Sequence, residues 1–581
     1  MMKTRETFQL LILLLCFCGT FSTVSAQNIL TEMDHDAQHI YDRMIILSGG
    51  ADSSIHSALR PFWRGDLVAL ADSFSIYAGD PISLHQAQSI LDQNNEFVSS
   101  ADTFVRGSEV NNSIGYRLSK HPLWHTFYKT PAQFYEVDVP DFYLRVNPII
   151  RLDVGTETSE GTATFINQRG VSLRGGVGKN VFFQTSFWDS QLRYPNYINQ
   201  YTDTFGVVPG AAFYKDFNSS LFDIDQGRDF LLATAYVGIN FGKYIGMQLG
   251  HNQHFIGDGI RSLFLSDFST PFFSLMINTR IWKIHYQNIF AELSADNFTS
   301  GSGYAGLVPK KYMAAHYLSY KPNRFVTLGL FESVVFDRPN HQFELQYLNP
   351  IILYRTVEGW IGSPDNVVLG FNARVDIKRS VSFYGQFILD DISIDNILNS
   401  HLDWWGNKFG YQLGGKYINA FGINFLDAQV EWNQVRPYTF SHYDSYANFS
   451  NYKQTLAHPL GANFNEVILS LRYQATKRLG MQSNLYIIST GEDVDTVSFG
   501  SNVLVPNTQR QGDYGNHIGQ GVATDIVYWS TSFQYELSSG IFLDAQYVYR
   551  KKTSAIPTRS LLTNHFQFGV RYNMARRENV F

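Results

Sequence analysis

The sequence predicts an all-β transmembrane barrel of about eighteen antiparallel strands, with a small N-terminal helical unit on the periplasmic side. Three observations predict it. Segments of about ten residues swap apolar and polar side chains at every step, as a wall between lipid and a polar interior requires. The connections between them alternate between short and long. No apolar run reaches the roughly twenty residues that a membrane-crossing helix needs.

Met1 to Ala26 reads as a secretory signal: Lys3 and Arg5, the apolar run Leu10 to Cys18, then Val24-Ser25-Ala26 ahead of Gln27. Both cysteines of the chain, Cys16 and Cys18, fall inside it. The remainder therefore has no disulfide, thiolate metal site or cysteine nucleophile. Residues 27–142 follow as the helical unit. Met33, Ala37, Ile40, Tyr41, Met44 and Leu47 recur at helical spacing after a cap at Thr31, and Gly49-Gly50 ends the run. A second helix covers Asp66 to Asp72, and a third begins after Ser83 with Leu84, Ala87, Ile90 and Leu91 on one face. The apolar faces need cover, and docking at the barrel's mouth would supply it and restrict any pore.

The barrel occupies residues 143–574. Its strands fall at 143–154, 162–174, 181–190, 230–240, 244–252, 272–280, 282–293, 312–321, 324–336, 366–377, 380–390, 408–419, 422–434, 464–476, 479–491, 521–537, 541–552 and 562–574. Val367, Leu369, Phe371, Ala373 and Val375 alternate with Val368, Gly370, Asn372, Arg374 and Asp376. Tight joins such as 377–380 and 419–422 are rich in Gly, Asn, Lys and Ser, as hairpin turns need. The long joins, 191–229 and 435–463 among them, suit external loops. A tail at 575–581 follows the last strand. Phe581 resembles the terminal aromatic of outer-membrane assembly signals, but the alternation Phe566, Phe568, Val570, Tyr572 stops before it.

A formal net charge of −6 gives no reason to expect a nucleic-acid partner. Aromatic residues at 15 % with 45 glycines suit aromatic girdles and tight turns. A soluble sandwich or propeller would not need so regular a short-long rhythm.

Several stretches resemble the Wzi-type capsule-assembly outer-membrane superfamily. These are the Gly-rich loop Gly250 to Asp267, the segment Asn349-Pro350-Ile351-Ile352-Leu353-Tyr354-Arg355, the helical unit and the strand count. Arg436-Pro437-Tyr438 to His442, Leu456 to Phe464, and Gly512-Asp513-Tyr514 to Gly521 resemble its Bacteroidetes branch, including RemB-type proteins associated with gliding motility. The resemblance implies an outer-membrane barrel that handles surface polysaccharide, in the capsule branch as a lectin-like anchor. The tryptophan-rich lead into the Gly loop is replaced here by His251, His254 and Phe255, so sugar binding does not transfer to that loop.

For carbohydrate the candidates are Trp404, Trp405, Tyr438, His442, Tyr443, Asp444, Tyr446 and Tyr452. Aromatic rings stack on pyranose CH faces while carboxylates and amides take the hydroxyls. Trp404 and Trp405 suit a membrane girdle better than a sugar platform, and loop 435–463 equally suits packing inside the lumen. Asp258, Arg261 and Asp267 are read as a charge cluster that pins loop 253–271 within the barrel. His251, His254 and Asp258 have a spacing that would suit a metal only on a helix, so no metal or other cofactor is expected. No nucleophile elbow or phosphate loop occurs, and Gly301-Ser302-Gly303 reads as a loop tip, so the protein is read as non-enzymatic. Three functions stay open: a polysaccharide anchor, a structural partner of other cell-envelope proteins in a surface or gliding assembly, and a passive porin. Outer-membrane lipid is a partner of all three.

Overall fold

The computed structural model describes residues 29–50, 55–98, 115–120, 122–219, 224–295, 306–340, 342–398, 401–494 and 497–581. The signal segment 1–26 with Cys16 and Cys18, and the Gly301-Ser302-Gly303 tip, lie outside the described residues.

Eighteen strands form one closed antiparallel barrel. Each pairs with its sequence neighbours, and the ring closes where Leu561–Tyr572 pairs with Phe142–Glu157, Tyr572 opposite Ile150. The expected strands are all present, within a few residues at most ends; Asn366–Ile377 and Val381–Asp391 are typical. One begins well before its expected start. Ile224–Phe241 continues beyond the rim because Lys215–Ser219 pairs with it there, Lys215 opposite Asp229.

The alternation places polar groups inside and apolar groups outside. On Asn366–Ile377, Asn372, Arg374 and Asp376 are buried, whereas Leu369, Phe371, Val375 and Ile377 are exposed. On Val522–Ser538 the large exposed apolar side chains are Val527, Trp529, Phe533, Tyr535 and Leu537. An apolar belt of this extent, carried by strand after strand, suits hydrocarbon rather than water. No helix among the described residues is long and apolar enough to cross a membrane, and the strands are the elements of suitable length.

Among the described residues three α-helices precede the barrel: α1, His35–Leu47; α2, Arg64–Tyr77; and α3, Pro81–Gln93. The cap of α1 is Asp34 rather than Thr31, its carboxylate accepting from the N–H groups of Asp36 and Ala37. Helix α3 starts ahead of Ser83 because Asp80 caps it and Pro81 suits the first helical position. The three helices share a core of Tyr41, Met44, Ile45, Phe62, Leu67, Phe74 and Leu91. Gly50 ends the first run at φ +95°, and a Cβ there would lie 2.0 Å from the Arg324 carbonyl oxygen, so only glycine lets the helix end sit against that short turn. The expected helical span of 27–142 stops sooner, since Tyr135–Val139 is a strand paired with Phe142–Glu157.

The helical unit does more than cover the mouth. Ile29, Leu30, Leu59 and Trp63 share one core with inward wall residues Phe182, Tyr236, Met276 and Tyr317. From the long-loop end, loop 253–271 descends to meet it, and Leu59–Arg60 pairs with Phe255–Ile256. Phe264 of this loop stacks on wall residue Phe331 at 4.8 Å. Residues 573–581 turn back into the lumen instead of extending the last strand. There Phe581 meets Tyr197, Tyr201 and Phe268, with 4.4 Å between the Tyr201 and Phe581 ring centroids. Phe581 is thus an internal packing group and not a residue of the final strand.

Candidate functional site

Two regions concentrate functional chemistry: the polar seam inside the barrel, and the rim built by the long loops.

The seam begins with Asp42 of α1, which accepts from Lys416 at 2.6 Å, Arg374 at 2.7 Å and Arg60 at 3.2 Å. Burial would raise its pKa, but those three cations outweigh burial and hold the carboxyl well below the usual range. Asp258 is fully buried next to it, accepting from the Ser57 hydroxyl at 2.6 Å and from Arg374 at 3.2 Å. Arg261 donates to Glu466 at 3.2 Å and to the Val580 carbonyl, while its backbone N–H donates to Glu431. Gly259 passes so close that an added Cβ would lie 2.5 Å from Glu431. Asp267 pairs with His35 at 3.0 Å, and despite its burial the His35 and Arg577 charges lower its pKa to about 2. Asp258, Arg261 and Asp267 thus contact different strands and helices rather than one another. His251 and His254 diverge too: His251 is exposed beside Phe273, and His254 is buried against Ser274. Burial lowers the pKa of His254 to about 4. Among the described residues no group of three or more His, Cys, Asp or Glu side chains is placed to hold a metal ion.

The tail completes the seam. Glu578 accepts from Asn484 at 2.8 Å and also from Ser530, and Arg576 donates to Asp36 at 3.3 Å. Space remains in cavities, one of about 150 Å³ beside Asp36, Arg472 and Arg576 and another of about 130 Å³ beside Glu32, Arg174 and Arg571.

At the rim the carbohydrate candidates divide. Tyr438 is buried, its hydroxyl donating to the Ser498 carbonyl at 2.9 Å, so it is a packing residue between loops. Trp405 is half-buried, lies edge-on to Tyr438, and carries the Arg510 guanidinium 4.2 Å from its ring centroid. Trp404 flanks it at 5.7 Å. These tryptophans join loops 391–407 and 492–521 at the rim. The Trp405 backbone N–H donates to the Asp513 backbone carbonyl, and the Asp403 carboxylate accepts the Gly515 N–H at 2.7 Å. Tyr514 is exposed above His401, 5.2 Å between centroids. His442 and Tyr443 form a second aromatic pair at 4.2 Å, with Tyr443 and Asp444 exposed. Burial, reinforced by the Lys408 charge, lowers the His442 pKa to about 4. Tyr446 is half-buried. Tyr452 belongs elsewhere, edge-on to Phe213 and hydrogen-bonded through its N–H to Ser294.

Sequence reasoning missed Arg510, Asp513 and Tyr514 as neighbours of Trp404 and Trp405, because loops 391–407 and 492–521 are far apart in sequence and meet only in the folded rim; it also passed over His401, in the same loop as the tryptophans.

These features define a closed eighteen-stranded barrel of the transmembrane type, with a filled lumen and an aromatic and charged rim. No family model matches the chain, and no curated protein matches it. Among solved structures it is similar to Wzi of Escherichia coli, described as an outer-membrane protein involved in group 1 capsule assembly and a carbohydrate-binding β-barrel. The TM-score is 0.55 at 13 % identity, over 95 % of this chain and 100 % of that one. At this identity the likeness concerns the fold. Pseudomonas aeruginosa OprD and Acinetobacter baumannii OccAB2 also match, each at a TM-score of 0.40 and 8 % identity over 74 % of this chain, covering 94 % and 97 % of theirs.

Proposed function

We propose that the protein is a non-enzymatic outer-membrane barrel that binds surface or capsular polysaccharide at its long-loop rim, with its helical unit on the periplasmic side. The observation that carries this reading is the filled lumen: α1 with residues 55–63, loop 253–271 and residues 573–581 enter it from different directions and bond to one another and to the wall. A barrel so filled offers a solute no open route, which speaks against a passive porin. Its chemistry toward large ligands then lies at the rim, where Trp404, Trp405 and Tyr514 present half-buried or exposed rings among Asp403, Arg510 and Asp513. Such rings stack on sugar CH faces, and the charged groups suit hydroxyls or uronate carboxylates. The capsule role described for the E. coli barrel of similar fold is consistent with this reading.

The test is binding of the refolded protein to a glycan array and to the host's own surface polysaccharide. Binding is expected, and Trp404→Ala and Tyr514→Ala should each weaken it about tenfold, roughly the 1 to 3 kcal/mol of an aromatic stacking contact. Tyr438→Ala is a poor probe because it disturbs packing between loops. Absence of binding to every glycan would overturn the proposal and favour a structural role in a surface or motility assembly.

A further inference from the structure

One stretch of the wall buries polar groups on its outer side. On Lys310–Asn323, Met313, Ala315 and Tyr317 point inward and share the lumen core with Phe331 and Val335 of Val326–Phe336. By alternation His316 and Glu332 stand on the outer face, and the register places them opposite each other, with Asn288 opposite His316. Glu332 is also opposite Leu369, an exposed member of the apolar belt. A carboxylate and an imidazole facing hydrocarbon are disfavoured. Both are buried, at 2 % and 8 % exposure.

Their cover is segment 342–365, which folds down the outside of the barrel. His316 Nε2 lies 2.8 Å from the Glu332 carboxylate, and the Tyr354 ring stacks on His316 at 4.5 Å. The backbone N–H groups of Tyr354 and Arg355 donate to the two Glu332 oxygens at 2.9 and 3.0 Å. Around this polar core, Tyr347, Tyr354 and Val357 pack on outward wall residues Phe290, Ala314, Val334, Phe336 and Val367. Asp365 closes the end, accepting from Arg338 at 2.7 Å and from the Tyr347 hydroxyl at 2.7 Å.

The other side of the segment is open and carries large apolar side chains, with Gln346, Asn349 and Thr356 exposed between them. Leu345, Leu348, Ile351, Leu353 and Trp360 are exposed, Ile351 by 83 %. Arg355, on the same side, is paired with Glu358 at 2.5 Å. We infer that segment 342–365 is a flap embedded in the membrane, its exposed apolar side chains meeting lipid acyl chains while its inner side seals the His316–Glu332 pair. The occupant is lipid because the apolar side is continuous with the wall's own belt, level with Leu369. The inference rests on the membrane-spanning reading of the barrel and extends it to an extramural segment.

The test uses the chain from residue 27 on, which has no cysteine, refolded into phosphatidylcholine vesicles with and without nitroxide-labelled acyl chains. An environment-sensitive fluorophore is attached in turn at Ile351→Cys, at Phe568→Cys on the bare wall and at Tyr443→Cys on the rim. Lipid quenching at Ile351 comparable with that at Phe568, against little at Tyr443, is the expected result. Quenching at Phe568 without quenching at Ile351 would overturn the flap and leave the barrel reading intact. Quenching at neither would overturn both.

Discussion

Arg374→Ala is expected to destabilise the protein by about 3 to 5 kcal/mol and to loosen the helical unit before the barrel wall, because it leaves buried Asp258 without its principal cation and takes one of three cations from Asp42. Arg374 is 1 % exposed and donates to Asp42 at 2.7 Å, Asp258 at 3.2 Å and Asp376 at 3.0 Å. It therefore joins α1, loop 253–271 and a wall strand at one point. Lys416 and Arg60 still face Asp42 in the variant, but neither has a hydrogen bond to the Asp258 carboxylate, whose remaining donors there are Ser57 and Asn372. The measurements are the urea midpoint followed by tryptophan fluorescence, and the rate of trypsin cleavage within residues 29–98. Arg374→Lys should recover part of the loss, since one ammonium cannot reproduce the three contacts of a guanidinium. An unchanged midpoint and unchanged cleavage in Arg374→Ala would show that the seam does not hold the helical unit.

Removal of residues 575–581 should cost at least about 3 kcal/mol and release helix Asn196–Phe205, because the tail bonds to both the wall and the loops. Its loss leaves Asp36 without Arg576, Arg261 without the Val580 carbonyl, and Arg550 without the Phe581 carbonyl. It also removes the ring on which Tyr197 and Tyr201 pack. Faster proteolysis between residues 196 and 213, with the barrel strands still protected, is the expected pattern. Identical proteolysis of the full and shortened chains would mean that the tail only occupies space.

The wall was legible in the sequence because period-two alternation acts locally. Leu369, Phe371 and Val375 against Asn372, Arg374 and Asp376 identify a strand and its two faces without knowledge of any neighbour. Turn chemistry added the boundaries. The interior was much less legible. That Arg374 meets Asp42, or Arg261 meets Glu466, depends on which segments enter the lumen and from which end, and no periodicity encodes that. Loop 435–463 shows the same limit at the rim: one aromatic-rich stretch holds buried Tyr438, exposed Tyr443 and remote Tyr452, and only tertiary packing separates them. Nothing in the sequence singles out His316 and Glu332. Their outward direction became meaningful only once segment 342–365 was seen to cover them.

The most direct test of the closed, surface-acting barrel is the conductance of the full refolded chain in planar lipid bilayers. Insertion without steady open-channel current is expected, because the helical unit, loop 253–271 and the tail fill the lumen together. A stable, ion-conducting open state in the intact protein would contradict it and favour the porin reading.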